Sequence, residues 1–251
     1  MSTRTALVTG ASRGIGAAVA RRLAREGFAV ALNSLPAAGM VAAAEAVAED
    51  IRAAGGAAAV YPADISAAAE VDAMVARASA ELGRVHVLVL NAAASALRPW
   101  HEVTEAEWDA TSAVNLKGAF LCARRVFADR PPADGAVVTV SSVQAALGVA
   151  DALPYATTKA GVIGFTRSLA RALGPAGVRV NCVMPGAIRT EHELEHHPDQ
   201  DAVAREVFAV QALRRRGTAE DVAGAVAFLA GPDAAFVTGQ TLCVDGGWVP
   251  R

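Results

Sequence analysis

Tyr155 and Lys159 stand four residues apart in Tyr155-Ala156-Thr157-Thr158-Lys159, a spacing that places a phenol and an ammonium on one face of a helix. A free phenol has a pKa near ~10. A neighbouring cation favours the phenolate and draws it toward working pH, where it can give and take a proton. Such a pair is common by chance and carries little weight alone. Ser142 precedes Tyr155 at the C-terminal end of an apolar run, and its hydroxyl can hold a substrate oxygen while the phenol handles the proton. Asn115, in Asn115-Leu116-Lys117-Gly118, falls in the helical segment before that run and can hold a water linking Lys159 to solvent. Lys117 and Lys159 are the only lysines, against many arginines. A compact ammonium whose pKa moves on burial is something Arg cannot replace.

A second cluster opens the chain. Thr9-Gly10-Ala11-Ser12-Arg13-Gly14-Ile15-Gly16 follows an apolar run and begins a helical pattern. Glycines at 10, 14 and 16 permit a tight turn, close approach of backbone to a pyrophosphate, and close helix–strand packing. The helix start offers unpaired N–H groups and the positive end of its dipole to phosphate. Ser12, Arg13 and Ile15 share that loop. The next run ends at Asn33-Ser34, where an NAD enzyme places Asp or Glu on the ribose 2′-hydroxyl. Without that carboxylate a 2′-phosphate is not repelled, and Arg13 with Ser34 can hold it. NADP(H) is therefore the expected cofactor, NAD(H) the alternative; a plain surface cation is the competing role for Arg13. Asp64, before Ile65, can accept from an adenine amino group or cap the helix that follows.

These groups need elements that bring several loops to one edge. Apolar runs at 5–9, 29–32, 57–61, 86–90, 136–140, 179–183 and 241–244 predict strands. Amphipathic segments near 15–30, 41–54, 67–82, 104–128, 155–173 and 218–230 predict helices between them. Thr104 with Glu107 and Thr218 with Asp221 form the pattern of capping boxes. Unalternating runs suit parallel strands covered on both faces. The expected fold is α/β: a Rossmann-type, doubly wound, seven-stranded parallel sheet with helices on both faces. Residues 1–251 form one expected domain, with a polar insertion at about 187–216 read as a mobile lid. The Ala/Gly-rich stretch 37–59 reads as a plain outer helix.

Composition narrows the function classes. The chain has 251 residues, 53% of them hydrophobic, and a formal charge of −2. A core of that size is ample for one α/β domain, and there is no basic stripe for nucleic acid. Cys122, Cys182 and Cys243 are widely spaced in apolar runs, which reads as reduced thiols in a cytoplasmic protein. Met1-Ser2-Thr3-Arg4 leads directly into a strand pattern, with no room for a signal peptide. No apolar stretch approaches the ~20 residues of a membrane span.

Taken together, Thr9–Gly16, Asn91-Ala92, Asn115, Ser142, Tyr155 with Lys159, Pro185-Gly186 and the closing Thr238-Gly239-Gln240…Val244-Asp245-Gly246-Gly247-Trp248 resemble a classical short-chain dehydrogenase/reductase of the 3-oxoacyl-reductase-like branch. The resemblance covers essentially the whole chain. It implies a catalytic tetrad of Asn115, Ser142, Tyr155 and Lys159, with Lys159 also on the nicotinamide ribose. It further implies cofactor contacts from Asn91, Ala92, Pro185, Gly186, Ile188 and Thr190, and a homotetramer with the closing segment between subunits. One departure stands at the fourth strand, where the usual Asn-Asn-Ala-Gly reads Leu90-Asn91-Ala92-Ala93.

The expected substrate is a small carbonyl or alcohol, best a medium-sized apolar ketone, against a wall of Val143-Gln144-Ala145-Ala146-Leu147. Arg98 and Trp100 on the opposite loop can meet a polar or aromatic substrate, with a plain surface position as the competing reading. Relatives that act on acyl carrier protein carry basic residues where this chain has Ala133-Asp134 and Pro175-Ala176, although Arg124, Arg125 and Arg130 lie nearby. A carrier-linked thioester reductase is thus an alternative, as is a non-catalytic NADP(H)-binding regulator. His192 and His196, four apart in the insertion, have the spacing of metal ligands, but a solvated lid without metal is the favoured reading. Arg214-Arg215-Arg216 reads as a solvated charge run.

Overall fold

The computed structural model describes residues 4–129 and 131–249. The first half runs β1 (Thr5–Val8), α1 (Gly14–Arg25), β2 (Ala29–Ser34), α2 (Ala38–Ala53), β3 (Ala58–Pro62), α3 (Ala68–Leu82) and β4 (Val85–Leu90). Then come α4 (Glu105–Ser112), α5 (Ala119–Phe127), β5 (Ala136–Val140), α6 (Gln144–Leu147), α7 (Leu153–Leu173) and β6 (Arg179–Pro185). The last part holds β7 (Ile188–Arg189), α8 (Glu191–His196), α9 (Gln200–Val210), β8 (Gly217–Thr218), α10 (Ala219–Ala230) and β9 (Thr241–Val244).

Among the described residues, seven strands pair in parallel in the order β3-β2-β1-β4-β5-β6-β9. β7 and β8 form a separate two-stranded ribbon. Successive side chains of a strand face opposite sides, and the core divides accordingly. Ala6, Val8, Val138 and Val140 join α1, α2 and α10 on one face, while Leu7 and Val137 join α3, α5 and α7 on the other. Every residue of β1, β2 and β5 is buried, which explains why these runs show no polar alternation. Each fully buried Val or Leu adds roughly 1.5–3 kcal/mol.

Both expected capping boxes form, Thr104 with Glu107 at α4 and Thr218 with Asp221 at α10. The stretch 37–59 holds the outer helix α2. Two helix expectations need correction. The segment 15–30 stops at Arg25, because Gly27 turns the chain at φ +86° into β2. The segment 104–128 is not one regular helix: Ala113–Gly118 is π-helical, between α4 and α5. The insertion at 187–216 is not plain loop but carries β7, α8 and α9. Among the described residues no helix is long and apolar enough to cross a membrane. Cys122 and Cys182 are buried thiols and Cys243 is half-buried. Arg130 lies outside the described residues, as do residues 1–3.

Candidate active site

Strand order reverses between β1, whose chain continues outward to β2 and β3, and β4, which begins the opposite half. Doubly wound sheets bind ligands beyond the carboxyl ends of strands at this switch point. A groove of about 530 Å³ lies there, within the range of small-molecule and cofactor sites. Its walls include Gly10, Ser12, Arg13, Gly14, Ile15 and Gly16 from the first turn. Asn33, Asp64, Ile65, Asn91 and Ala92 follow the next three strands around the sheet. Ser142, Tyr155, Lys159, Pro185, Gly186, Ile188 and Thr190 complete it.

The glycine turn is held by asparagines. Asn91 Nδ2 donates to Thr9 O and Gly10 O, both at 3.0 Å. Asn33 Oδ1 accepts from Gly10 N at 3.3 Å, and its Nδ2 donates to Ala63 O at 3.0 Å. A methyl at Gly16 would overlap Gly10 O and come within 2.6 Å of Asn91 Nδ2, so only glycine lets helix and turn approach this closely. α1 has no side-chain N-cap and no acidic residue in its first turn. The chain's own α1 therefore leaves its anion-attracting end to another group, as a phosphate cradle requires. The donor set fits a dinucleotide.

Ser34 is corrected. It does not line the groove, and its hydroxyl is buried with no hydrogen-bond partner. Neighbours on a strand face opposite ways, so Asn33 toward the groove sends Ser34 away. Arg13 faces the groove and its Nη1 pairs with Glu195 at 3.1 Å. Asp64 does not cap α3, whose N-cap is Ala67 without a side-chain bond; its Oδ1 accepts from Ser66 N at 2.8 Å in a local turn, and the residue borders the groove.

The reacting groups converge. α7 begins with Pro154 in its first turn, where a missing N–H costs nothing, and it carries Tyr155 and Lys159 along β5. Ser142 hydrogen-bonds the Tyr155 hydroxyl. Lys159 Nζ lies 5.5 Å from the centroid of the Tyr155 ring and donates to Val140 O at 2.8 Å. Ser141 Oγ donates to Lys159 O at 2.8 Å, locking α7 to the end of β5. Burial holds the Lys159 ammonium down at about 8. Lys117, by contrast, is exposed.

One expectation about this cluster changes. Burial raises the Tyr155 phenol above its ordinary value, opposed by the Ser142 hydrogen bond. Burial thus outweighs the expected lowering, with the Lys159 ammonium 5.5 Å from the ring centroid and bonded to Val140 O. The side chain of Asn115, expected to hold a water toward Lys159, in addition ties two segments of the chain together. Its Oδ1 accepts from Ala94 N at 2.8 Å, and its Nδ2 donates to Ala94 O at 3.0 Å and Thr158 Oγ1 at 2.9 Å. A cavity of about 10 Å³ bordered by Asn115, Lys159 and Thr139 has space on the order of one water.

The expected substrate contacts mostly fall elsewhere. Arg98 pairs with Glu107 at 2.9 Å, and Trp100 is 68% exposed against His101; neither lines the groove. None of residues 143–147 lines it either, because Val143 is buried and α6 follows directly. Arg125 pairs with Asp72 and Arg124 lies over Phe120. His192 borders the groove, whereas the side chain of His196 lies outside the described residues. Among the described residues no three His, Cys, Asp or Glu gather as metal ligands. Of Arg214–Arg216, the first two are exposed as expected, Arg215 pairing with Asp221 at 2.7 Å, while Arg216 alone turns in against Glu193.

Sequence reasoning missed Ser141, Thr158, Val114, Leu35 and Met40, all of which but Thr158 line the groove. Val114 adjoins Asn115 in the π segment, where a 3.6-residue period gives no signal.

A doubly wound sheet whose switch point joins a phosphate-ready glycine turn to a Ser–Tyr–Lys cluster defines an NAD(P)-dependent oxidoreductase acting on CH–OH groups. The chain belongs to the short-chain dehydrogenase/reductase family. The family model described as enoyl-(acyl carrier protein) reductase matches residues 10–249. The chain is 40% identical over 246 residues to the 3-oxoacyl-[acyl-carrier-protein] reductase FabG of Staphylococcus aureus, covering 98% of each. It is 39% identical to the short-chain dehydrogenase/reductase eriH of Hericium erinaceus, covering 96% of each. The crystal structure of a blue fluorescent protein from a metagenomic library, in complex with NADPH, superposes with a TM-score of 0.91 at 38% identity over 98% of each chain.

Proposed function

We propose that this chain interconverts a ketone and a secondary alcohol with NADP(H), through Asn115, Ser142, Tyr155 and Lys159. The observation that carries this reading is the meeting of Ser142, Tyr155 and Lys159 beside the groove of the glycine turn. When bound, the nicotinamide supplies or accepts the hydride. The α1 N-terminus and Gly10–Gly16 bind pyrophosphate, and Arg13 binds the 2′-phosphate; the NADPH complex of the similar blue fluorescent protein supports this cofactor. Ile188 and Thr190, after Pro185-Gly186, hold the nicotinamide side.

In the reductive direction Ser142 holds the substrate oxygen by a hydrogen bond and Tyr155 delivers a proton to it. With its pKa raised by burial, the phenol keeps its proton at neutral pH. Lys159 stays largely cationic below about 8, so it can hold the nicotinamide ribose and resupply the proton. Asn115 positions the site by tying Ala94 to Thr158, one helical turn from Tyr155. Residues 187–216 cover the groove as a lid.

Similarity to FabG supports a second reading, a 3-oxoacyl thioester on a carrier protein. A non-catalytic regulator is disfavoured, since the Ser142 hydroxyl and Tyr155 phenol stand together at the groove, a pairing that nucleotide binding alone does not require. We place the protein in the cytoplasm as a homotetramer; Phe120 and Phe228, 47% and 42% exposed on α5 and α10, support subunit packing.

The test is Tyr155→Phe, assayed with a panel of ketones and free or carrier-linked thioesters. The variant should bind NADPH as the wild type does and lose turnover by several orders of magnitude. Calorimetry showing no nucleotide uptake by the wild type would sink the reading.

A further inference from the structure

The donors assigned to phosphate are already in contact with anions of the same chain. Gly14 N, the first amide of α1, donates to Glu191 Oε2 at 3.0 Å. Arg13 Nη1 donates to both carboxylate oxygens of Glu195, at 3.2 and 3.1 Å. Glu191 and Glu195 are four residues apart on α8, hence on one face. Glu193, between them, points elsewhere and takes Arg216 at 2.5 Å, in a half-buried pair that anchors α8 to the start of β8. The helix is therefore fixed behind and presents two carboxylates forward, one on the pyrophosphate donor and one on the 2′-phosphate donor.

We propose that Glu191 and Glu195 form an anionic latch that sets cofactor affinity and selectivity: Glu191 competes with the pyrophosphate and Glu195 with the 2′-phosphate. The inference rests on the dinucleotide reading above. A carboxylate and a phosphate oxygen seek the same hydrogen-bond donors, so one must leave before the other binds. Pyrophosphate is common to both nucleotides, so Glu191 weakens both equally. Only NADP(H) must displace Glu195. The Arg13–Glu195 pair is partly exposed, with side chains 37% and 54% accessible, so its effect is modest in size but specific in direction.

Calorimetric dissociation constants for NADPH and NADH test this in the wild type and in Glu191→Gln, Glu195→Gln and Glu195→Ala. Both Glu195 variants should tighten NADPH about two- to fivefold, the range expected of an exposed ion pair, and leave NADH unchanged. Glu191→Gln should tighten both nucleotides by the same factor. The latch is overturned if the Glu195 variants leave NADPH unchanged, weaken it, or tighten both nucleotides equally. A wild type that binds neither nucleotide overturns the function itself, a result distinct from bound nucleotide with unaltered selectivity.

Discussion

Replacing Lys159 by Met should make the protein inactive and more stable at neutral pH. Lys159 is 3% exposed, and burial draws its ammonium from 10.5 to about 8. At about 1.4 kcal/mol per tenfold change in proton affinity, the fold disfavours the charged form by about 3 kcal/mol. The folded value lies below the unfolded one, so the folded chain binds fewer protons between those two pH values. The penalty is fully present below about pH 8 and fades as pH rises toward 10.5. Met fills similar volume without charge, but leaves Val140 O, which accepts from Nζ at 2.8 Å, without its donor, at about 1–2 kcal/mol. The net gain at pH 7 is about 1–2 kcal/mol, or about 2–8 °C in Tm for a chain of this size. Thermal unfolding of both proteins at pH 7 and pH 9.5, without cofactor, reads the difference, since bound ligand adds its own stability. The Lys159→Met protein should lead at pH 7 and lose part of that lead at pH 9.5. An equal or lower Tm at pH 7, or a lead that grows with pH, would refute the argument that the lysine is held at an energetic cost.

Two further outcomes are expected. Asn115→Ala removes three hydrogen bonds and strands Ala94 and Thr158. It should lower stability by about 2–4 kcal/mol in denaturant unfolding, and an unchanged midpoint would deny Asn115 its positioning part. Arg13→Gln removes the cation proposed for the 2′-phosphate and should weaken NADPH by about tenfold to a hundredfold while sparing NADH. Equal losses for both nucleotides, measured by calorimetry, would move Arg13 out of that role.

Much of this was legible from residues because it depends on local order. Unbroken apolar runs marked strands buried on both faces, and Gly10, Gly14 and Gly16 marked a turn that a side chain would crowd at 10 and 16 and strain at 14. The same local order located the groove walls at strand ends. What escaped depends on three-dimensional facts. Ser34 was misplaced because a hydroxyl one position from Asn33 looks equivalent in a string, yet lies across the sheet. The direction of the Tyr155 shift turned on burial, which spacing does not encode. Glu191 and Glu195 meet Gly14 and Arg13 across more than half the chain, so no short motif announces them. Arg98, Trp100 and residues 143–147 were plausible pocket walls by position alone, and a capping ion pair, exposure and a short helix removed them.

The π-helical turn at Ala113–Gly118 also governs which changes the chain can tolerate there. A regular helix advances about 100° per residue, and a π turn lodges one extra residue without bending the axis far. α4 packs on α7 and α5 on α3, so the extra residue acts as a phase adjuster between two neighbours with different demands. Deleting a single amino acid from this turn would restore a regular spiral and swing Asn115 away from Ala94 and Thr158. Length at this spot is consequently more constrained than side-chain identity, and point deletions should be far less tolerated here than most substitutions.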